Sequence, residues 1–288
     1  MLSINKILLP VDYPGTSLGV IRQAARVAEQ FHSEIVLLHV LTARSRAAGV
    51  PEQGPALAQW DLLAEITRSA EETQERSIGS VLGNLTVYRV LARGGVADVI
   101  VRTAHKERVD LVMMPSRGHT FCQFLLGSVT ARVLCESQCP VWTDAYAEEV
   151  EPRGLTIGSI LCAVDLTPHD RKTVSWAAHL AAEFGARLTL AHVTPSIESW
   201  GPGGGYVHSR QKDALVGDAS RRIAEHQKAM DIKANVIVGS GDVSTTLCQA
   251  AKQVNADLLV TGCHPYGGRL RTHGYGTICA IPIPVLSV

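Results

Sequence analysis

The sequence predicts an α/β protein of two tandem doubly wound domains, each with a five-stranded parallel sheet. The first observation is an internal repeat. Lys6-Ile7-Leu8-Leu9-Pro10-Val11-Asp12 recurs as Ser159-Ile160-Leu161-Cys162-Ala163-Val164-Asp165, and His39-Val40 recurs as His192-Val193. Val109-Asp110-Leu111-Val112 recurs as Ala256-Asp257-Leu258-Leu259, and Cys139-Pro140-Val141 as Ile283-Pro284-Val285. A unit this long is a duplicated domain, because solenoid repeats run only about 20–50 residues. The second is the alternation, within each copy, of short apolar runs with helix-length amphipathic segments, which gives a parallel sheet covered by helices on both faces. The third is a hydrophobic content of 46%, enough for two cores in 288 residues and incompatible with disorder.

In the first copy, Ile7–Val11 is an apolar run ending in Asp12 and reads as strand one. Leu18–Phe31 has apolar or small residues at 18, 21, 24, 25, 28 and 31, which is helical spacing. Glu34–Leu41 reads as strand two and 44–55 as a loop. Ala56–Ser77 is a long helix with Leu57, Trp60, Leu63, Ile66 and Ala70 on one stripe. Thr86–Leu91 is strand three, Val96–Glu107 a helix, Leu111–Met114 strand four, Gly127–Glu136 a helix and Val141–Thr143 a last short strand. The second copy repeats the order. Its first helix opens at Thr167-Pro168-His169-Asp170, where Thr suits the N-cap, Pro the first helical position and an acid the first turn. Residues 195–205 form a glycine-rich loop matching 44–55. The domains are expected at 1–147 and 159–288, joined by a linker over 148–158.

Lys plus Arg and Asp plus Glu are both 27, so the formal charge is zero. This argues against a nucleic-acid partner, which calls for a basic excess. No apolar run reaches the 18 or more residues of a spanning helix, so no membrane partner is expected. The Met1–Lys6 start has neither the charged region nor the apolar core of a signal peptide. Seven cysteines without regular spacing point to a reducing cytoplasm, with Cys162 and Cys248 as small core residues.

The offset between the copies is 153 at Asp12 and at Val40, 147 at Val96 and at Asp110, and 144 at Pro140. The second copy therefore lacks six residues between strands two and three. It lacks three more around the loop that follows strand four.

In a doubly wound sheet, ligands bind beyond the carboxyl ends of the strands, where strand order reverses. Asp12, Val40, the stretch Pro115-Ser116-Arg117-Gly118 and the helix start Gly127-Ser128-Val129-Thr130 all fall there. A helix amino end presents free N–H groups and a positive dipole end, which suits phosphate. Gly127 permits close approach, Ser128 adds a hydroxyl donor, and Arg117 can neutralise charge. Asp12 at the rim can accept from a base amino group or a ribose hydroxyl.

On these residues the chain resembles the universal stress protein family. The resemblance rests on Asp12 after strand one, His39-Val40 ending strand two, the Gly118…Gly127-Ser128-Val129 spacing and the closing Cys139-Pro140-Val141. It extends over both halves. It implies a Rossmann-like sheet of the adenine nucleotide α-hydrolase-like type, with ATP, and Mg²⁺ with it, as the cofactor. By that resemblance Asp12 and the Val40 backbone hold adenosine, and Gly118, Gly127, Ser128 and Val129 hold phosphate. Pro10, Ser116, Arg117 and Thr130 complete the binding set. The sequence departs from the family motif in two ways: Pro115 stands at the first motif glycine, and eight residues rather than nine separate Gly118 from Gly127.

The second copy departs further. Its equivalents are Asp165, Val193, Gly262, Arg269, Arg271 and Thr272, with Pro265 at the second motif glycine and Arg271 where a bare backbone is needed. This half is expected to be structurally faithful and degenerate for ATP, although Arg269 and Arg271 could bind an anion by side chain. Plainer readings stand beside these. Asp12 and Asp165 can cap the loop into the next helix, Gly127-Ser128 can be a plain helix start, and the arginines can be solvated. His39 and His192 read as core or rim histidines with one satisfied nitrogen. His119 with Cys122, and Cys263 with His264, give only two ligands each, short of the four of a structural zinc site, and no metal is expected.

The expected function is a cytoplasmic stress-response protein that binds an adenine nucleotide in its first half, with no catalytic residue and at most slow ATP hydrolysis. The alternative is a scaffold acting through protein–protein contacts without nucleotide. Family members commonly dimerise through the last strand. Val141–Thr143 and Val285–Ser287 are therefore expected to pair within one chain as a pseudo-dimer, with a further homodimer as an additional possibility.

Overall fold

The computed structural model describes residues 3–12, 18–41, 72, 75–116, 126–144, 156–194, 205–263, 276–278 and 280–288. It divides into two compact units, the first holding Ser3–Phe121 and Gly127–Leu155, the second Thr156–Val288.

The first unit runs β1 (Lys6–Val11), α1 (Leu18–Phe31), β2 (Glu34–Leu41), β3 (Val87–Arg93), α2 (Val96–Lys106), β4 (Leu111–Pro115), α3 (Ser128–Glu136) and β5 (Val141–Asp144). Its strands lie in the order β3-β2-β1-β4-β5, all parallel. The order reverses between β1 and β4, which sets the crevice there. Ile7, Leu8 and Leu9 are fully buried, as a parallel strand covered on both faces requires. Helix α1 buries Val20, Ile21, Ala24, Ala25, Val27 and Ala28 against the sheet.

The second unit runs β6 (Ser159–Ala163), α4 (Asp170–Phe184), β7 (Arg187–Thr194), α5 (Gly205–Met230), β8 (Asn235–Ser240), α6 (Val243–Gln253), β9 (Leu258–Thr261) and β10 (Val285–Ser287). The order is β10-β9-β6-β7-β8, again parallel, with the reversal between β6 and β9.

One repeated motif has a structural cause. Asp110 Oδ2 accepts the N–H groups of Asn5 (2.7 Å) and Lys6 (3.0 Å). Asp257 Oδ2 accepts those of Gly158 (2.8 Å) and Ser159 (2.9 Å). The aspartate ahead of the fourth strand thus latches the amino end of the first strand in both copies. It does so at the end of the sheet away from the crevice.

Two expectations are corrected. The helix placed at 56–77 lies largely outside the described residues, but its described end runs over 75–82, past Ser77. Ile78 and Leu82 are buried and continue the apolar stripe that holds it down. The regular ladder of α4 begins at Asp170, not beside Thr167, and the Thr167 hydroxyl makes no capping bond among the described residues. Instead Asp170 Oδ2 reaches back to accept Thr167 N–H at 3.2 Å, and Asp170 N–H bonds Thr167 C=O at 3.1 Å. This is the acid's half of a capping box without the hydroxyl's half.

Candidate functional site

Both units present the same rim at the carboxyl ends of their strands. In the first, β1 ends with half-buried Pro10 and buried Val11, and Asp12 follows, exposed. Nδ1 of His39 lies 3.1 Å from the Val11 carbonyl, and in the second unit Nδ1 of His192 lies 2.8 Å from the Val164 carbonyl. A carbonyl only accepts, so each ring carries its proton on Nδ1. Each histidine thus has its Nδ1 hydrogen-bonded at the rim. Their bonds tie the end of the second strand to that of the first. Val40, next along β2, is buried, and Val193 on β7 is half-buried.

At the first crevice, Ser116 directly follows β4. Its N–H bonds Asp144 C=O (3.0 Å), and its own C=O accepts Gly127 N–H (3.0 Å). That bond lays the amino end of α3 across the end of β4. Gly127 is the N-cap, at φ −59° and ψ 141°, with no side-chain cap bond. The first intrahelical bond is Ala131 N–H to Gly127 C=O at 2.8 Å. The N–H groups of Ser128, Val129 and Thr130 therefore precede the helical ladder, as in any helix start. Ser128 is exposed and Val129 half-buried. Thr130 is buried, and its hydroxyl donates to Pro115 C=O at 3.1 Å, so its side chain braces the strand. Ser116 Oγ is buried with no hydrogen-bond partner among the described residues. Arg117 and Gly118 lie outside those residues, as do 13–17 and the loop from His119.

The second crevice holds a cavity of about 280 Å³ above the β6/β9 reversal. Asp165, Val193 and Gly262 line it, while Arg269, Arg271 and Thr272 lie outside the described residues. Its floor contains residues that sequence reasoning did not single out as ligand contacts: Asp170, Thr173, Thr277 and Ser287. Asp170 is 5% exposed and accepts N–H bonds from Asp165 (3.2 Å) and Thr167 (3.2 Å). Burial, with the neighbouring Asp165 carboxylate adding to it, pushes the Asp170 carboxyl up to about 6. Asp165 Oδ1 accepts Thr167 N–H at 3.0 Å, so the capping reading of Asp165 has a bond behind it. A signal for Asp170 was available: the 153-residue offset pairs it with Ser17, so this position changes chemistry between the copies.

Among the described residues no group of three or more metal-ligating side chains forms, and no helix is long and apolar enough to cross a membrane. The buried Cys162 thiol is pushed far up by burial, and next by Asp170, which makes it unreactive.

The sequence matches the model of the universal stress protein family twice, over residues 3–143 and 156–273. A universal stress protein of Methanocaldococcus jannaschii is 31% identical over 143 residues, 48% of this chain and 79% of that protein. One from Mycolicibacterium smegmatis is 25% identical over 267 residues, 91% of this chain and 88% of that one. Among solved structures, a universal stress protein from Archaeoglobus fulgidus superposes with a TM-score of 0.65 at 20% identity, covering 99% of this chain and 98% of that one. A double match along most of the chain, with full-length relatives in sequence and fold, makes the repeat a pair of like domains: the chain belongs to the universal stress protein family.

Proposed function

We propose that this protein binds an adenine nucleotide, ATP with Mg²⁺, in its first half and acts as a stress-response regulator, not a fast enzyme. The observation that supports this most directly is the Gly127–Ser116 bond, which brings three helix-start N–H groups to the strand-order reversal beside Asp12. In this reading Asp12, Pro10 and the Val40 backbone hold the adenosine. Gly118, Gly127, Ser128 and Val129 hold the phosphates, with Ser116, Arg117 and Thr130 around them. The second half, with Arg269, Arg271 and Thr272 in place of the glycine-rich cradle, does not take ATP. No group in the proposed set is placed as a general base at the terminal phosphate, so turnover stays below the roughly 1 s⁻¹ of slow ordinary enzymes.

The proposal includes domains at 1–147 and 159–288 and a cytoplasmic location, in keeping with Cys135, Cys162 and Cys248, which form no disulfide among the described residues. It also includes pairing of Val141–Thr143 with Val285–Ser287 inside one chain. Titration calorimetry of Mg²⁺-ATP into nucleotide-stripped protein tests the central claim. One site per chain supports it. Two sites refute the asymmetry, and no heat at all moves the protein to the scaffold class.

A further inference from the structure

We infer that the cavity of the second unit is a binding site for a small organic cation, a protonated amine on an apolar body, recognised by Asp170, Thr173 and Ser287. The inference goes beyond the nucleotide reading and concerns the other half of the chain.

The first ground is the difference between the copies. Asp170 stands where the first copy has Ser17, and Thr173 where it has Val20. One turn of α4 has exchanged a neutral residue for an acid and an apolar one for a hydroxyl. Both face the same cavity. Asp170 also holds the loop before α4 through its two N–H bonds, but stability does not account for Thr173: Val20 is buried in α1 at 1% exposure, so an apolar residue serves the helix-to-sheet contact well, whereas an unpartnered hydroxyl is costly to bury.

The second ground is the unmet hydrogen-bonding capacity of that floor. Thr173 is 1% exposed and Ser287 2%, and both line the cavity. Neither Thr173 Oγ1 nor Ser287 Oγ has a hydrogen-bond partner among the described residues. Native interiors leave few such groups, and a cluster of them beside a cavity marks a place where something else completes the bonding. Asp170 accepts two backbone N–H bonds but forms no ion pair with any described cation. The Asp165 carboxylate adds a second negative charge nearby. An ammonium group has three donors and no acceptor, so it can serve a carboxylate and two hydroxyl oxygens at once.

The third ground is the remaining wall. Val164, Val193, Val243, Leu247 and Ile278 are apolar and face the same space. At about 280 Å³ the cavity falls just below the roughly 300–1,000 Å³ of pockets that hold drug-sized ligands. It suits a compact body such as one or two fused rings. A phosphate chain is disfavoured by the two acids.

The test uses the full chain and a matched trio: tryptamine, its neutral isostere tryptophol, and the anion indole-3-acetate, titrated by calorimetry at pH 7.5. Tryptamine should bind at least about tenfold tighter than tryptophol, the factor expected of a hydrogen bond to a charged group, and indole-3-acetate should not bind. Asp170→Asn should erase the preference for the amine. Because Asp170 also holds the loop before α4, Thr173→Val and Ser287→Ala serve as independent variants, each expected to weaken tryptamine severalfold while ATP binding in the first half is unchanged. Equal binding of amine and alcohol, no binding of tryptamine, or its displacement by ATP would each overturn the inference. The last of these would also count against one-site ATP binding; the first two leave that reading untouched.

Discussion

At the scale of single residues, the two crevices separate by which polar groups they bury. Ser128 is exposed at the start of α3, so its hydroxyl is free of the core and its removal costs little stability. If it donates to a phosphate, Ser128→Ala loses a bond to a charged group, about 1.5–3 kcal/mol, and ATP affinity falls at least about tenfold with an unchanged urea midpoint. Unchanged affinity in calorimetry would return Gly127-Ser128 to a plain helix start. Asp170 makes a different prediction. Its folded-state pKa, about 6, lies above the ordinary 3.8, so the folded chain holds this proton more tightly than the unfolded one. Its contribution to stability is therefore full below about pH 4 and is lost as pH rises through about 6. Asp170→Asn removes this titration. The variant's urea midpoint should gain on the parent's between pH 4 and pH 7, and a constant gap between the two would show that the carboxyl does not titrate there.

At the scale of elements, chain punctuation decides where helices stop and loops turn. Helix α4 ends at Phe184, and Gly185 takes φ +62°, with Gly185 N–H bonded to Ala182 C=O and Ala186 N–H to Ala181 C=O. A Cβ there would meet nothing within 4 Å, so the cost of Gly185→Ala comes from backbone conformation alone. That cost is about 1–2 kcal/mol, to be read from urea unfolding, and a neutral result would mean the helix end rearranges. Such signals were legible in advance where they are local. The apolar runs gave the strands to within a residue or two, and the 3.6-residue stripe gave α1. The Thr167 cap was not legible. Thr-Pro-x-Asp satisfies the sequence pattern of an N-cap, but the Asp170 carboxyl, held under the loop by its bonds to Asp165 and Thr167, supplies the bond instead. The far end of the long helix was missed as well. Ile78 and Leu82, at four-residue spacing, are both buried and carry the stripe past Ser77.

At the scale of the whole molecule, the repeat makes function a question of difference between halves. The motif around Asp110 and Asp257 proved to be a latch common to both, so likeness between the copies reported on folding. Divergence, at Ser17 against Asp170 and Val20 against Thr173, is what the proposed cation site rests on. The cavity floor itself could not be read from one copy, since Asp170 and Ser287 lie over a hundred residues apart and meet only through the β6/β9/β10 arrangement. The proposed pairing of the β5 and β10 segments has a consequence for cooperativity. If the two last strands join within one chain, unfolding either half exposes an edge of the other, and the chain should melt in a single calorimetric transition. Mg²⁺-ATP at about a hundred times its dissociation constant then stabilises the whole chain by about 2.7 kcal/mol, although it contacts one half only. The expected scan is one peak that moves upward as a unit, with light scattering holding at 30.9 kDa across a concentration series. Two peaks of which ATP moves only the first would show independent halves and remove the intrachain pairing. A mass rising towards twice that of the chain with the single peak retained would show the further homodimer formed on top of the intrachain pairing.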